Sequence, residues 1–107
     1  PGRCFFAHQI AQDPKWCESA VSRLGDPVYI TIDLDVLDPA EMPSTGTPEP
    51  GGLRYRQVVD LLAAVCRSRT VVGCDIVELM PRPDDKSPDF LAARLVYQLM
   101  AFLTPAP

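Results

Sequence analysis

The sequence predicts an α/β domain built on a parallel sheet, and three observations carry that prediction. Strand-like runs alternate along the chain with stretches of helical spacing. The two strongest strand candidates, Val28 to Leu34 (VYITIDL) and Thr70 to Leu79 (TVVGCDIVEL), are nearly all apolar, as strands covered on both faces are. A predicted helix lies between them, which is the connection of a right-handed βαβ unit.

The elements follow in order. Arg3 to Ala7 (RCFFA) is a short apolar run with the composition of a strand. Asp13-Pro14 marks a helix start, because Asp can cap free amides and Pro suits the first helical position. Trp16, Ala20, Val21 and Leu24 then recur at helical spacing, and Gly25 is a stop, so a helix is expected over 14–24. Trp16 is read as a core residue. After the strand at 28–34, Asp38 to Gly52 (DPAEMPSTGTPEPGG) holds four prolines and three glycines and must be a loop. A loop of this length in a compact domain is usually functional. Tyr55 to Cys66 places apolar residues at 58, 59, 62, 63, 65 and 66, the pattern of a helix with one buried side. Ser87-Pro88 is a second cap-and-proline start. Phe90 to Leu103 reads as a mostly apolar helix, stopped by Pro105.

Composition narrows the function. The 107 residues suit one small domain, and 47% hydrophobic residues suffice for a core. The net charge is -4, from 10 basic and 14 acidic residues, with no run of Lys or Arg. Nothing favours nucleic acid or an anionic membrane as a partner. No apolar run approaches the roughly eighteen residues of a membrane helix. Cys4, Cys17, Cys66 and Cys74 form no CxxC pair. They are read as mostly buried thiols of a cytoplasmic protein, against disulfides or metal ligands. No targeting segment is visible, but the chain begins with Pro1 rather than Met, so that absence excludes nothing.

The chemistry concentrates in Asp33, Asp35 and Asp38 (IDLDVLDP). Ligands of parallel α/β sheets sit beyond the carboxyl ends of the strands, where Asp33 and Asp35 fall. Strand residues two apart share a face, so both carboxylates can address one object. Unpaired, two buried carboxylates repel and take up protons, whereas a divalent cation supplies the missing charge. Oxygen ligands suit Mn or Mg, and one carboxylate can bridge two ions. The competing reading is a pair of strand-end residues held by backbone amides or an Arg. Asp38 precedes Pro39 and reads as a turn starter. Glu78 closes the second strand on the same edge. It is either a receptor for a cation such as a guanidinium or an exposed strand-end residue. Asp75 has no assigned role. His8, the single histidine, stands outside this cluster and reads as a surface or turn residue. Gly46, Gly51 and Gly52 either admit a ligand to the backbone or permit tight turns.

Taken together, YITIDLDVLDPAEMPSTGTPEPGGL (29–53), VVGCDIVELMP (71–81) and FLAARLVYQLM (90–100) resemble the ureohydrolase family of arginases and agmatinases. TGTPEPGGL and LAARLVYQL resemble agmatinases in particular. The resemblance implies a three-layer α/β/α fold with a parallel sheet. It also implies two Mn2+ ions that activate a hydroxide, attack on a guanidinium carbon, and release of urea and an amine. Asp33 falls where the family has a bridging metal ligand, Asp35 where it has a second ligand, and Glu78 where it holds the guanidinium. Asp38, Thr45, Gly46, Thr47, Gly51 and Gly52 match positions that shape the loop. The substrate implied is a small guanidino compound such as agmatine, and the complete protein is implied to be a trimer or hexamer.

The chain departs from the family pattern in what it lacks. Members are much longer, and upstream Gly-Gly-Asp-His and Asp-Ala-His-x-Asp segments supply two histidines and two aspartates to the metals. Neither segment occurs here, and His8 matches neither. Residues 1–107 therefore resemble the C-terminal part of a ureohydrolase domain, inactive in isolation. The alternative is a non-catalytic fragment or a structural partner chain. Smaller departures are Arg54, where Ser or Thr would cap a helix better, Met42 and Ser44 in the loop, and Met80 beside Glu78.

Overall fold

A computed structural model describes residues 3–104. The order is α1 (Ala7–Ile10), α2 (Trp16–Ser22), β1 (Val28–Asp33), a 3-10 turn (Leu34–Val36), α3 (Tyr55–Ser68), β2 (Val71–Val77) and α4 (Ser87–Leu103). β1 and β2 pair in parallel, from Val28 opposite Val71 to Asp33 opposite Val77. The architecture is the expected one, a small parallel sheet flanked by helices of the three-layer α/β/α, arginase-like kind, present as a partial domain.

Helix α3 organises the core. Val58, Val59, Leu62 and Val65 recur at helical spacing and are buried. Val58, Val59 and Leu62 cluster with Ile32 of β1, with Ala92, Leu95 and Leu99 of α4, and with Leu34, Leu37, Met42 and Leu53. Trp16, Ile30 and Ile76 pack against the margin of this cluster, so Trp16 contributes to the core as expected. Strand alternation sends Tyr29, Thr31 and Asp33 to the other sheet face, where they are exposed. The apolar strands predicted coverage on both faces. Among the described residues only one face is covered, and Tyr29 on the other is 60% exposed. A groove of about 380 Å3 runs between β1 and α3, lined by Val28, Ile30, Ile32, Leu61, Leu62 and Val65.

The N-terminal expectation fails. Arg3 to Phe6 is irregular and α1 begins at Ala7, so RCFFA is not a strand. Its aromatics find side-chain partners instead: Phe5 lies 5.0 Å from the Arg23 guanidinium, and Phe6 stacks on the exposed His8 at 5.8 Å. The thiols are free, but none is buried. Cys4 and Cys74 are exposed and Cys17 and Cys66 half-buried. Burial is still enough to push the Cys17 and Cys66 thiols above their ordinary range.

The helix ends were legible in part. α2 is shorter than predicted because Asp13 Oδ1 accepts from Lys15 N at 2.8 Å, forming a turn before the helix. At its other end, Arg69 donates to the carbonyls of Val21 (2.9 Å) and Leu24 (3.4 Å), and the helix stops short of Gly25. α4 starts at Ser87, but the acceptor there is Asp85, whose Oδ1 receives Ser87 N at 2.9 Å and Ser87 Oγ at 2.7 Å. α4 ends at Leu103; the predicted stop at Pro105 lies outside the described residues.

Candidate functional site

The carboxyl end of β1 is shaped by its own side chains. Asp33 Oδ1 accepts from Asp35 N at 3.2 Å, and the backbone turns into the 3-10 segment. Asp35 is therefore not a strand residue, and alternation does not relate it to Asp33. The local turn does, and it keeps both carboxylates at the end of β1. Asp33 is exposed and Asp35 half-buried. Asp35 Oδ2 also accepts from Thr47 Oγ1 at 2.8 Å, which ties the first aspartate pair to the far side of the long loop.

That loop is closed at its base. Leu53 N donates to Val36 O at 2.8 Å and Asp38 N to Leu53 O at 2.9 Å. The two ends of the loop meet so closely that a Cβ at Gly52 would lie 2.6 Å from Asp38 N and from Leu37 C, so only glycine fits. Asp38 holds the same junction from its side chain, with Oδ1 accepting from Ala40 N (2.9 Å) and Oδ2 from Gly51 N (3.0 Å). Those two amides keep its carboxyl below the usual carboxylate range. Gly51 adopts φ +83°. Inside the loop Met42, Ser44 and Thr45 are buried, and the Ser44 and Thr45 hydroxyls have no hydrogen-bond partner among the described residues.

Arg54 does prove a poor cap, but the loop compensates. Glu41 Oε2 accepts from Tyr55 N at 2.6 Å, and Oε1 pairs with Arg54 Nε at 3.2 Å. Gln57 Oε1 accepts from Arg54 N at 2.9 Å. A carboxylate and an amide thus satisfy the first turn of α3.

Glu78 follows β2 directly and is exposed. Its φ of +69° is uncommon for a residue with a Cβ. Two residues on, Met80 N donates to Ser44 O at 2.8 Å and binds this segment to the loop. A Cβ at Gly46 would stand 4.0 Å from Glu78 Oε2. The Thr45-Gly46-Thr47 stretch thus has Asp35 at one end and the Glu78 carboxylate beside its centre. Asp38, Gly51 and Gly52 belong to the base of the loop rather than to this cluster.

The residues present do not by themselves fit a two-ion metal centre. Among the described residues no group of three or more His, Cys, Asp or Glu could hold a metal ion. Asp33 and Asp35 also already accept hydrogen bonds from Asp35 N and Thr47. Sequence reasoning missed Glu41, whose cap comes from fourteen residues away. It also left Asp75 open. Asp75 Oδ1 accepts from Thr31 Oγ1 at 2.6 Å and Oδ2 from Tyr29 Oη at 2.8 Å. These bonds lower the Asp75 carboxyl below its ordinary range and raise the Tyr29 phenol above its own.

The sequence model of the arginase family matches residues 3–102. This chain belongs to the arginase family. It is 52% identical over 93 residues to an N(1)-aminopropylagmatine ureohydrolase of Thermus thermophilus, covering 87% of this chain and 31% of that protein. An agmatinase of Bacillus cereus is 44% identical over 79 residues, covering 71% of this chain and 27% of that protein. Among solved structures, a hypothetical agmatinase from Burkholderia thailandensis superposes with a TM-score of 0.81 at 31% identity, over 91% of this chain and 32% of that one. The proclavaminate amidino hydrolase of Streptomyces clavuligerus gives 0.81 at 33% identity, over 91% and 34%. The chain therefore spans about a third of the length of these relatives. The family is catalytic, and agmatinase-like proteins are among the similar ones. No helix among the described residues is long and apolar enough to cross a membrane.

Proposed function

We propose that this chain is the C-terminal part of a manganese-dependent hydrolase that converts a guanidino compound such as agmatine to urea and an amine, and that alone it is non-catalytic. The observation carrying the reading is the loop that gathers two chemistries: Thr47 is bonded to Asp35, and Gly46 lies beside the Glu78 carboxylate. Asp33 and Asp35 would be metal ligands, with the remaining ligands supplied from outside these residues. Glu78 would receive the guanidinium, for which a carboxylate is the natural partner. The shortage of ligands favours the non-catalytic reading for the 107 residues themselves.

The test is a replacement. In the Thermus relative, this chain is substituted for the 93 residues it matches, and urea release from agmatine and from N(1)-aminopropylagmatine is measured with Mn2+ present. The isolated chain is expected to release none and the chimera to release urea. Asp33→Ala in the chimera is expected to lower turnover by about a thousandfold. A chimera that releases urea equally well with and without Asp33 would falsify the metal assignment.

A further inference from the structure

We propose that Asp75, clasped by Tyr29 and Thr31, is a positioning residue that locks the register of the two strands and so sets Glu78 relative to Asp33 and Asp35. The proposal rests on the functional reading above for what the lock serves, but the lock itself is a matter of strand geometry.

The register of β1 on β2 is not self-evident. Val28 stands opposite Val71, yet Tyr29 stands opposite Gly73, so Val72 is an extra residue and the ladder shifts there. A one-residue slip would exchange the two faces of β2 against β1. It would also move Glu78 by one residue, about 3.3 Å, against the end of β1. Every backbone pair beyond the irregularity depends on the register chosen at it.

The side chains that choose it follow immediately. Tyr29, Thr31 and Asp33 share one face of β1, and Thr31 is directly opposite Asp75. The Thr31 hydroxyl donates to one Asp75 oxygen at 2.6 Å and the Tyr29 hydroxyl to the other at 2.8 Å. For the Tyr29 hydroxyl to reach Asp75, its ring must lie across β2. It does so over Gly73, where a Cβ would come 2.6 Å from Tyr29 Cε2. The site therefore needs a glycine, an aromatic hydroxyl, a small hydroxyl and a carboxylate at four register positions. A slipped strand would put Cys74 or Ile76 opposite Thr31, and neither can accept both bonds. Charge-assisted bonds of this kind are the stronger ones. They sit two residues before Asp33 and three before Glu78, close enough to govern both strand ends.

The test uses Thr31→Val, Asp75→Asn, the Thr31→Val/Asp75→Asn pair, Tyr29→Phe and Thr31→Ser. Amide hydrogen exchange is measured in the 107-residue chain, and steady-state kinetics in the chimera. Thr31→Val and Asp75→Asn are each expected to speed exchange at Val77, Glu78 and Met80 about tenfold. The pair should do less than the sum of the two, because both changes act on the shared Thr31–Asp75 bond while only Asp75→Asn also weakens the Tyr29 bond. Thr31→Ser should stay within about twofold of the parent, since it keeps the hydroxyl. Tyr29→Phe keeps the ring on Gly73 and reports on the clasp even where a harsher change unfolds the sheet. In the chimera, Thr31→Val should raise KM for the guanidino substrate about tenfold, well below its melting temperature, with Thr31→Ser restoring it. A fold-stability role alone would lower the melting temperature and leave KM unchanged, and that result overturns the proposal. So do exchange rates at Glu78 and Met80 that ignore all variants, or effects of Thr31→Val and Asp75→Asn that simply add. If the unmodified chimera releases no urea, the functional reading fails while the exchange measurements still decide the lock.

Discussion

The loop after β1 is better buried than the strands it serves. Leu37, Met42, Ser44 and Thr45 are at most 2% exposed, whereas Tyr29 is 60% and Val72 65% exposed. Ordinary proteins show the reverse, with strands inside and loops outside. The loop is finished: its base is bridged, both oxygens of its turn carboxylate accept from backbone amides and its interior is filled by its own side chains. The strands are not, since each has a free edge and their second face is bare among the described residues. The local chemistry of the proposed site thus resides in these residues, while among the described residues the sheet keeps open edges and an uncovered face.

The largest expected break in this contrast comes from emptying the loop side of the core. Leu34 is fully buried at the turn after β1. Leu34→Ala should cost about 3 kcal/mol, read as a shift in the denaturant midpoint. Such a loss is a large part of the stability of a small domain. An effect under about 1 kcal/mol would mean that the loop side is no better packed than the strand face.

Gly52→Ala probes the base of the loop. The added methyl would meet backbone atoms of Leu37 and Asp38, which cannot move aside cheaply. A cost of about 2 kcal/mol is expected, with loss of the Leu53–Val36 amide protection in hydrogen exchange. Unchanged protection would show that the bridge tolerates a Cβ and that the glycine serves something else.

How much of this was legible follows from the range of the signals. The α3 core face could be read because its periodicity lies within one segment, from Val58 to Val65. The Asp38 turn could be read because an Asp-Pro step carries its own acceptor and its own fixed φ. The closure of Asp33 onto Asp35 N could not, because a strand continuing for two more residues has the same composition as a strand that turns. Glu41 capping α3 and Thr31 bonding Asp75 were invisible for a different reason: each joins residues far apart, and the second depends on a strand irregularity that no local pattern announces. The RCFFA run failed as a strand because strand composition does not supply a pairing partner.

The buried hydroxyl of Ser44 offers a sharper test in the opposite direction. It is fully buried with no hydrogen-bond partner among the described residues, which is costly for a polar group. Ser44→Ala should therefore stabilise the fold by about 1 kcal/mol. A destabilisation of similar size would mean that the hydroxyl has a partner in solution and that the loop interior is wetter than its burial suggests.

Acid should distinguish loop from strand face more gently. Asp38 has its folded pKa depressed by the amides of Ala40 and Gly51. The stability it contributes is full above its unfolded value of about 3.9 and is lost as pH falls through the lower folded value. Asp38→Asn should flatten the fall of melting temperature below about pH 4 while changing its slope little above pH 5. Asp75 is depressed in the same direction by Thr31 and Tyr29, so Asp75→Asn should flatten the same window. The two differ in where the loss is felt. Protonating Asp38 should open the amides of Ala40 and Gly51, and protonating Asp75 those of Val77 and Glu78. Hydrogen exchange across that pH range would separate them. If both acids release the same amides together, loop and strand face unfold as one unit, and the contrast between them is one of burial and not of independent stability.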